Sequence, residues 1–354
     1  MRILFLAPYP ANESPSQRYR FEHYFSFLTS NRIEYDYKSF LDMSTWKVIF
    51  KQGHYFKKVT GILYGFIQRF FQLFILYKYN YIYIHREASP AGPPVFEWII
   101  SKILRKKIIY DFDDAIWIPA TSIYNKAASS FKNFGKVAKI CKWSYKISVG
   151  NSYLAQFALQ YNKNVFIIPT VVNTETVHNK LQDQQTTRPA VGWTGSFSTL
   201  KYLDIVTETI KELQAKFDFK FIVIADKDPQ LPLDNYVFIK WNKNSETNDL
   251  LNFHIGIMPL YDDEISKGKC GFKAIQYMSL GIPAIVSPVG VNTEIVTDGF
   301  DGFVCASKPG WSSKIEKLLV DSALRQQMGM AARKKVENNY SVKATSQMFL
   351  DLFN

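Results

Sequence analysis

The stretch Lys267-Gly-Lys-Cys-Gly-Phe-Lys-Ala-Ile-Gln-Tyr-Met-Ser-Leu-Gly-Ile-Pro-Ala-Ile-Val-Ser-Pro-Val-Gly290 places the tightest limit on the fold. A basic loop containing Gly268 and Gly271 runs into Phe272 to Leu280, about two helical turns that stop at Gly281. A strand over Pro283 to Val286 follows, and Pro288-Val-Gly290 turns the chain again. Loop, helix and strand in this order belong to α/β architecture with parallel strands. A helix that starts at a glycine loop presents unpaired N–H groups and a positive dipole end, a seat for a diphosphate, and Lys269 and Lys273 add mobile charge beside it. The same residues also suit an ordinary loop-helix-strand unit with solvated lysines, so this stretch alone leaves both readings open.

A chain of 354 residues suits two domains of roughly 150 to 180 residues each. With 47% hydrophobic and 16% aromatic residues, two cores are within reach and a folded rather than disordered chain is expected. The net charge of +12 points to an anionic partner: nucleic acid, a phospholipid surface or a phosphorylated substrate. No zinc-finger, RNP-like or repeat pattern occurs and the lysines are widely spread, so nucleic acid ranks last. Cys141, Cys270 and Cys305 lie far apart, which fits a reducing compartment without a disulfide frame or zinc site. Met1 to Pro8 reads as a first buried strand rather than a signal peptide. The most apolar region, Val59 to Ile84, is broken by Arg69 and Lys78, whereas a spanning helix needs about 20 mostly apolar residues. A cytoplasmic protein is expected, at most peripheral at the inner face of the cell membrane.

Taken in order, residues 2 to 8 read as a strand, and Arg18 and Arg20 open a helix that carries Phe21, Tyr24, Phe25 and Leu28 at helical spacing. The loop after a first parallel strand is where α/β sheets bind ligands, so Arg18 and Arg20 fit an anionic acceptor or, equally, surface charge at a helix start. Residues 55 to 78 read as a long helix, apolar on most of its circumference. That pattern normally marks a core helix, but the aromatics flanked by Lys57, Lys58, Arg69 and Lys78 also suit a bilayer surface. Strands at 81 to 85 and 107 to 111 flank a helix from Pro94 to Leu104. The second runs into Tyr110-Asp-Phe-Asp-Asp-Ala-Ile-Trp117, three carboxylates at a strand end, where acid/base work, a Mg²⁺ site or a plain capped turn are the alternatives. Strands at 146 to 150 and 165 to 168 flank a helix from Ser152 to Tyr161.

The polar run Gln182-Asp-Gln-Gln-Thr-Thr-Arg188 sits between apolar strands and reads as part of a linker over 173 to 189. Ala190 to Ser196 begins a second α/β unit, in which Gly195 permits close backbone approach and the N–H of Ser196 could meet a phosphate. Strands at 220 to 225 and 236 to 241 follow. The last stretch reads as helices over Trp311 to Leu319 and Ser322 to Asn338, then a terminal amphipathic helix.

These motifs resemble the donor-binding segment of family 4 glycosyltransferases of the GT-B fold. The resemblance rests on Gln276-Tyr-Met278, Gly281, Pro283 and the Gly290 to Glu294 spacing, and on Pro169-Thr-Val-Val-Asn173. It departs from the family pattern at Gly268 and Gln276, which stand where two glutamates are usual. Trp193 and Thr199 stand at about the places of a usual Arg and Lys. The resemblance implies two Rossmann-like domains with parallel sheets facing across a cleft: 1–172 for the acceptor, 190–340 for the nucleotide-sugar, and 341–354 returning to the first. It implies transfer from a nucleotide diphosphate sugar to a hydroxyl, with retention, without metal or further cofactor, onto a glycan or lipid-linked acceptor of surface polysaccharide assembly. Donor contacts would be Gly195, Ser196, Lys201, Trp241, Lys269, Gly271, Phe272, Gln276 and Glu294. Lys273 and Asp113 or Asp114 would serve the chemistry, and Arg18 and Arg20 the acceptor. The missing glutamates and basic pair also fit a non-catalytic subunit of the same fold that binds sugar nucleotide or scaffolds a partner.

Overall fold

The computed structural model describes residues 1–119 and 133–354. The chain divides into two compact units, Met1–Thr170 with Ser346–Asn354, and Val171–Thr345. Strands of the first unit are β1 Arg2–Ala7, β2 Glu34–Ser39, β3 Tyr81–His85, β4 Lys107–Phe112, β5 Lys146–Val149 and β6 Val165–Ile167. They form one sheet in the order β2-β1-β3-β4-β5-β6, parallel at every pairing. Every residue of β3 is buried, as expected where both faces of a parallel sheet are covered. The sequence reading has no strand at β2. Its charged Glu34, Asp36 and Lys38 alternate with tyrosines, the composition of an edge strand rather than a buried run. In the core, Phe5 packs against Phe21 at 5.4 Å and Tyr83 at 4.9 Å between ring centroids. The C-terminal residues complete this core: Phe349 stacks on Tyr24 at 4.2 Å.

The helix Tyr55–Leu73 overturns the core reading. Only Gly61, Gly65 and Arg69 are buried, while Phe56 and Phe71 are 83% and 63% exposed. Arg69 donates to the carbonyls of Ala7, Lys38 and Ala88 at 2.8 to 3.0 Å. The side of the helix that meets the sheet is therefore the small and cationic one.

The second unit contains β7 Ala190–Gly195, β8 Lys220–Ala225, β9 Tyr236–Lys240, β10 Ile255–Met258, β11 Ala284–Val286 and β12 Gly302–Val304. Their order is β12-β11-β10-β7-β8-β9, again parallel throughout. Val191, Trp193, Phe221, Val223, Ile257, Ile285 and Trp311 belong to one buried cluster. Gly192 and Gly256 face each other across β7 and β10. A Cβ on Gly192 would lie 2.1 Å from the Phe253 ring, and one on Gly256 would lie 2.3 Å from Tyr277. The bare backbone makes room for both rings.

The polar stretch 173–189 lies wholly within this second unit. Arg325 donates to the carbonyls of Gln184 and Thr186 at 3.1 and 3.2 Å, and Arg333 donates to those of Thr174 and His178. Composition suggested a linker because the carbonyl partners come from arginines of the distant helix Ser322–Asn339.

One half-buried histidine in this unit, His254, makes stability depend on pH. The Nδ1 of His254 accepts from the Ala190 N–H at 3.1 Å, so that nitrogen carries no proton in the fold. Burial first, and then the charge of Arg325, hold His254 down at about 4, against about 6.5 for a free imidazole. The unfolded chain therefore binds the proton more readily. Stability is full above about pH 6.5 and declines as pH falls from there toward 4. Thermal melts from pH 7.5 to 4.5 should show this decline, and His254→Gln should flatten it. Curves of equal slope for the two proteins would refute the assignment.

Candidate functional site

In an open parallel sheet, ligands bind beyond the carboxyl ends of the strands, where the strand order reverses. In the second unit the chain lays β8 and β9 on one side of β7 and β10 on the other. The loops after β7 and β10 thus part at this point, and they carry Gly195 to Lys201 and Pro259 to Lys273 respectively. The two loops are tied together: the Tyr261 hydroxyl donates to the Lys201 carbonyl at 3.3 Å, and the Tyr202 and Ser266 hydroxyls are 3.0 Å apart.

Gly271 has φ +64° and precedes the helix Phe272–Ser279. A Cβ there would lie 2.0 Å from Ile295 Cδ1, so the short helix Asn292–Ile295, with exposed Glu294, closes against this glycine. The Lys273 ammonium lies over the Trp193 ring, 5.6 Å from its centroid. The Trp193 ring in turn lies beside Gly195, where a Cβ would meet Trp193 Cη2 at 2.4 Å. Gly195, Trp193, Lys273, Gly271 and the Glu294 helix therefore form one neighbourhood. Lys269 and Phe272 flank it in the chain and are half-buried. Lys201 is exposed and lies over Tyr202, 5.3 Å from the centroid.

Two details depart from the sequence reading. The Ser196 N–H, expected to meet a phosphate, donates to Thr199 Oγ1 at 3.1 Å in a capping box. The next amide, Phe197 N–H, donates to an Asp226 carboxylate oxygen at 2.6 Å. Trp241 and Gln276 meet through a residue that the reading assigned no role. Glu246 Oε1 accepts from Trp241 Nε1 at 3.2 Å and from Gln276 Nε2 at 3.4 Å. Gln276 is three residues beyond Lys273, so both project from one helix face. A carboxylate thus lies beside Gln276 after all, supplied from another element. The signal was an acid at the start of a short helix, which by itself has many innocent explanations.

In the first unit the order reverses between β1 and β3. The four-residue sequence Asp111 to Asp114 splits there. Asp111 turns inward: Arg20 Nη2 is 2.5 Å from Asp111 Oδ1, and His85 Nδ1 is 2.7 Å from Asp111 Oδ2, all fully buried. Burial would raise the Asp111 carboxyl, but the Arg20 charge and His85 hydrogen bond outweigh it and hold it well below the usual range. Arg20 also donates to the Ile168 carbonyl and, at 3.0 Å, to Ser148. It is an internal tie rather than an acceptor contact. Arg18 is also buried, with its guanidinium over Tyr19 at 4.9 Å.

Asp113 and Asp114 turn toward Arg86, the residue after β3, which the sequence reading missed. Arg86 Nη2 is 2.7 Å from Asp113 Oδ1 and 2.8 Å from Asp114 Oδ2. Burial works to lower the guanidinium's proton affinity, and the carboxylates of Asp113 and then Asp114 overcome it, so the net shift is upward. Arg86 has φ +59°, and the Tyr110 hydroxyl donates to its carbonyl at 2.7 Å, which holds this strained turn. Pro8, Tyr9, Arg86, Glu87 and Lys136 line a small pocket at this reversal point. Among the described residues, no group of three or more His, Cys, Asp or Glu side chains is placed to hold a metal ion.

Residues 188–321 match the family model for glycosyl transferases group 1. This segment is similar to that family. The group 1 match covers β7 through the helix after β12, and so includes both loops at the reversal point. The chain is similar to the capsular polysaccharide biosynthesis glycosyltransferase CapM of Staphylococcus aureus, with 24% identity over 268 residues, 73% of this chain and 66% of the relative. It therefore spans slightly less than two thirds of that relative's length. Among solved structures, it is similar to sucrose-phosphate synthase of Thermosynechococcus elongatus, with a TM-score of 0.70 at 13% identity, covering 100% of this chain and 99% of that one. It is also similar to Anabaena Alr3699/HepE in complex with UDP, with a TM-score of 0.63 at 13% identity and 99% of each chain covered. At such identity the likeness concerns the fold. The fold is GT-B, two Rossmann-like α/β units, and the expected kinship with family 4 glycosyltransferases agrees with the group 1 match.

Proposed function

We propose that this chain is a glycosyltransferase that moves a sugar from a nucleotide diphosphate sugar to a hydroxyl of a glycan or lipid-linked acceptor. The observation that carries the proposal is the neighbourhood of Trp193, Gly195, Gly271 and Lys273 at the strand-order reversal of the group 1 segment. Breaking the sugar–phosphate bond builds negative charge on the departing diphosphate. The helix start at Gly271, with Lys273 and Lys269, offsets that charge in place of a metal ion. In the β7 loop, Gly195 makes room for the Trp193 ring that carries Lys273, while the Ser196 amide is taken by its own cap. Glu246 and Gln276 are assigned to hydroxyl groups of the donor, with Trp241 as a wall and Glu294, Lys201 and Phe272 at its margin. In the first unit, Asp113 and Asp114, oriented by Arg86, are assigned to the acceptor hydroxyl or the developing positive charge on the sugar. Retention of configuration and a setting in bacterial surface polysaccharide assembly complete the reading. The setting is supported by similarity to a relative named for capsular polysaccharide biosynthesis.

The exchange of both usual glutamates for Gly268 and Gln276 favours a second reading, a sugar-nucleotide-binding subunit without turnover. One experiment separates them. A ligand that binds only the native state at about 100 times its Kd adds about 2.7 kcal/mol of stability, so a panel of nucleotide sugars should contain at least one that raises Tm by several degrees. That donor should then be turned over with EDTA present. A shift without turnover supports the subunit, and a panel without any shift ends both readings.

A further inference from the structure

The helix Tyr55–Leu73 is built inside out. Its buried positions Gly61, Gly65 and Arg69 repeat every fourth residue, and a Cβ on Gly61 would lie 2.0 Å from Thr45 Oγ1. Its large side chains face away: Phe56 is 83% exposed, Phe71 63%, and beyond the helix end Phe74 64% and Tyr77 73%. Val59, Leu63, Ile67 and Phe70 are each more than half exposed on the same helix. The apolar surface continues onto the adjoining helix, because Phe66 stacks on Phe96 at 6.0 Å and Trp98 and Ile103 are exposed nearby in the chain. A contiguous surface of this kind marks an interaction site.

Charge identifies the occupant. No Asp or Glu occurs from Met43 to Arg86, while Lys47, Lys51, Lys57 and Lys78 are exposed there. At the far end of the helical stretch, Tyr77, Lys78, Arg105, Lys106 and Lys107 line an open basic pocket. Lys106 is held in place by the carbonyls of Tyr77 and Tyr79 at 3.3 and 2.9 Å. We infer that this face docks the chain on an anionic phospholipid bilayer, with the helix lying in the plane of the surface and the pocket taking lipid phosphate. A second copy using the same patch would bring cations against cations, whereas anionic lipid complements them. Tyrosines at the rim suit the headgroup boundary. Among the described residues no helix is long and apolar enough to cross a membrane, which leaves a helix lying on the surface. The inference is independent of the donor chemistry, since every residue in it belongs to the first unit.

Vesicle flotation of the full chain tests it, with phosphatidylcholine alone and with added phosphatidylglycerol. The chain should float with the anionic vesicles and less with the neutral ones. Phe71→Ser with Phe74→Ser should weaken that binding by at least about tenfold, since each aromatic inserted contributes on the order of tenfold. Lys78→Gln with Arg105→Gln should weaken it by about fivefold per residue on anionic vesicles only. Unchanged donor-induced Tm shifts in these variants would show that the fold and the donor site are intact. No flotation of the wild type at low salt would overturn the inference. So would equal flotation of the phenylalanine variant, or a dimer in solution abolished by that variant without any vesicle binding.

Discussion

Lys273→Ala is expected to lower kcat/KM for glycosyl transfer by about two to three orders of magnitude, the range seen when one preorganised charge-stabilising group is removed. The argument is positional. Lys273 leaves the first turn of the helix that starts at Gly271, so its ammonium adds to the dipole end instead of acting alone. Resting over the Trp193 ring, 5.6 Å from its centroid, restricts the long side chain, which lowers the entropy lost when a diphosphate arrives. Because the charge develops mainly as the bond breaks, kcat should fall more than KM rises. Lys273→Arg should recover part of the rate. Wild-type kcat/KM in the alanine variant, measured with whichever nucleotide sugar raises Tm, would remove Lys273 from the chemistry.

The second large effect concerns stability in the first unit. Arg20→Met should cost about 3 to 5 kcal/mol in urea unfolding, since it strands a buried carboxylate. Asp111 would be left with His85 and Ser148, neither of which carries a permanent positive charge. Losing Arg20 also orphans the carbonyl of Ile168. The double variant Arg20→Met, Asp111→Leu should regain much of the loss, because apolar replacement of a whole buried pair is often neutral. A cost below about 1 kcal/mol for the single variant would show that the pair is not the tie described here.

Much of the architecture was legible because parallel strands buried on both faces read as apolar runs, and the helix between them announced itself by period and by glycine stops. β1, β3, β7, β8 and the helix starting at Phe272 were all of this kind. β2 was not, since an edge strand of alternating charge and tyrosine lacks an apolar run. The helix Tyr55–Leu73 was legible as a helix but not as an exposed one: hydrophobicity on most faces leaves the inward side undefined, and two glycines and an arginine settled it. In the candidate site, Gly195, Gly271 and Lys273 came from motif spacing. Arg86 and Glu246 could not, because Arg86 meets Asp113 27 positions away and Glu246 meets Gln276 30 positions away, and neither lies in a recognisable pattern. Arg20 was misjudged for a similar reason. Its partner Asp111 is 91 residues distant, and nothing local distinguishes a tied arginine from a free one.

The paired glycines of β7 and β10 have a consequence for the lysine. β10 pairs with β7 only as far as Gly192, and the next free amide of β7, Thr194 N–H, is taken by the Tyr277 hydroxyl at 3.0 Å. Tyr277 can reach it only by lying flat where Gly256 has no side chain. That bond fixes the rotation of the helix about its own axis, and with it the direction in which Lys273 and Gln276 point. The aim of the Lys273 cation is thus indexed, one turn away, by the hydrogen atom that stands in for a side chain.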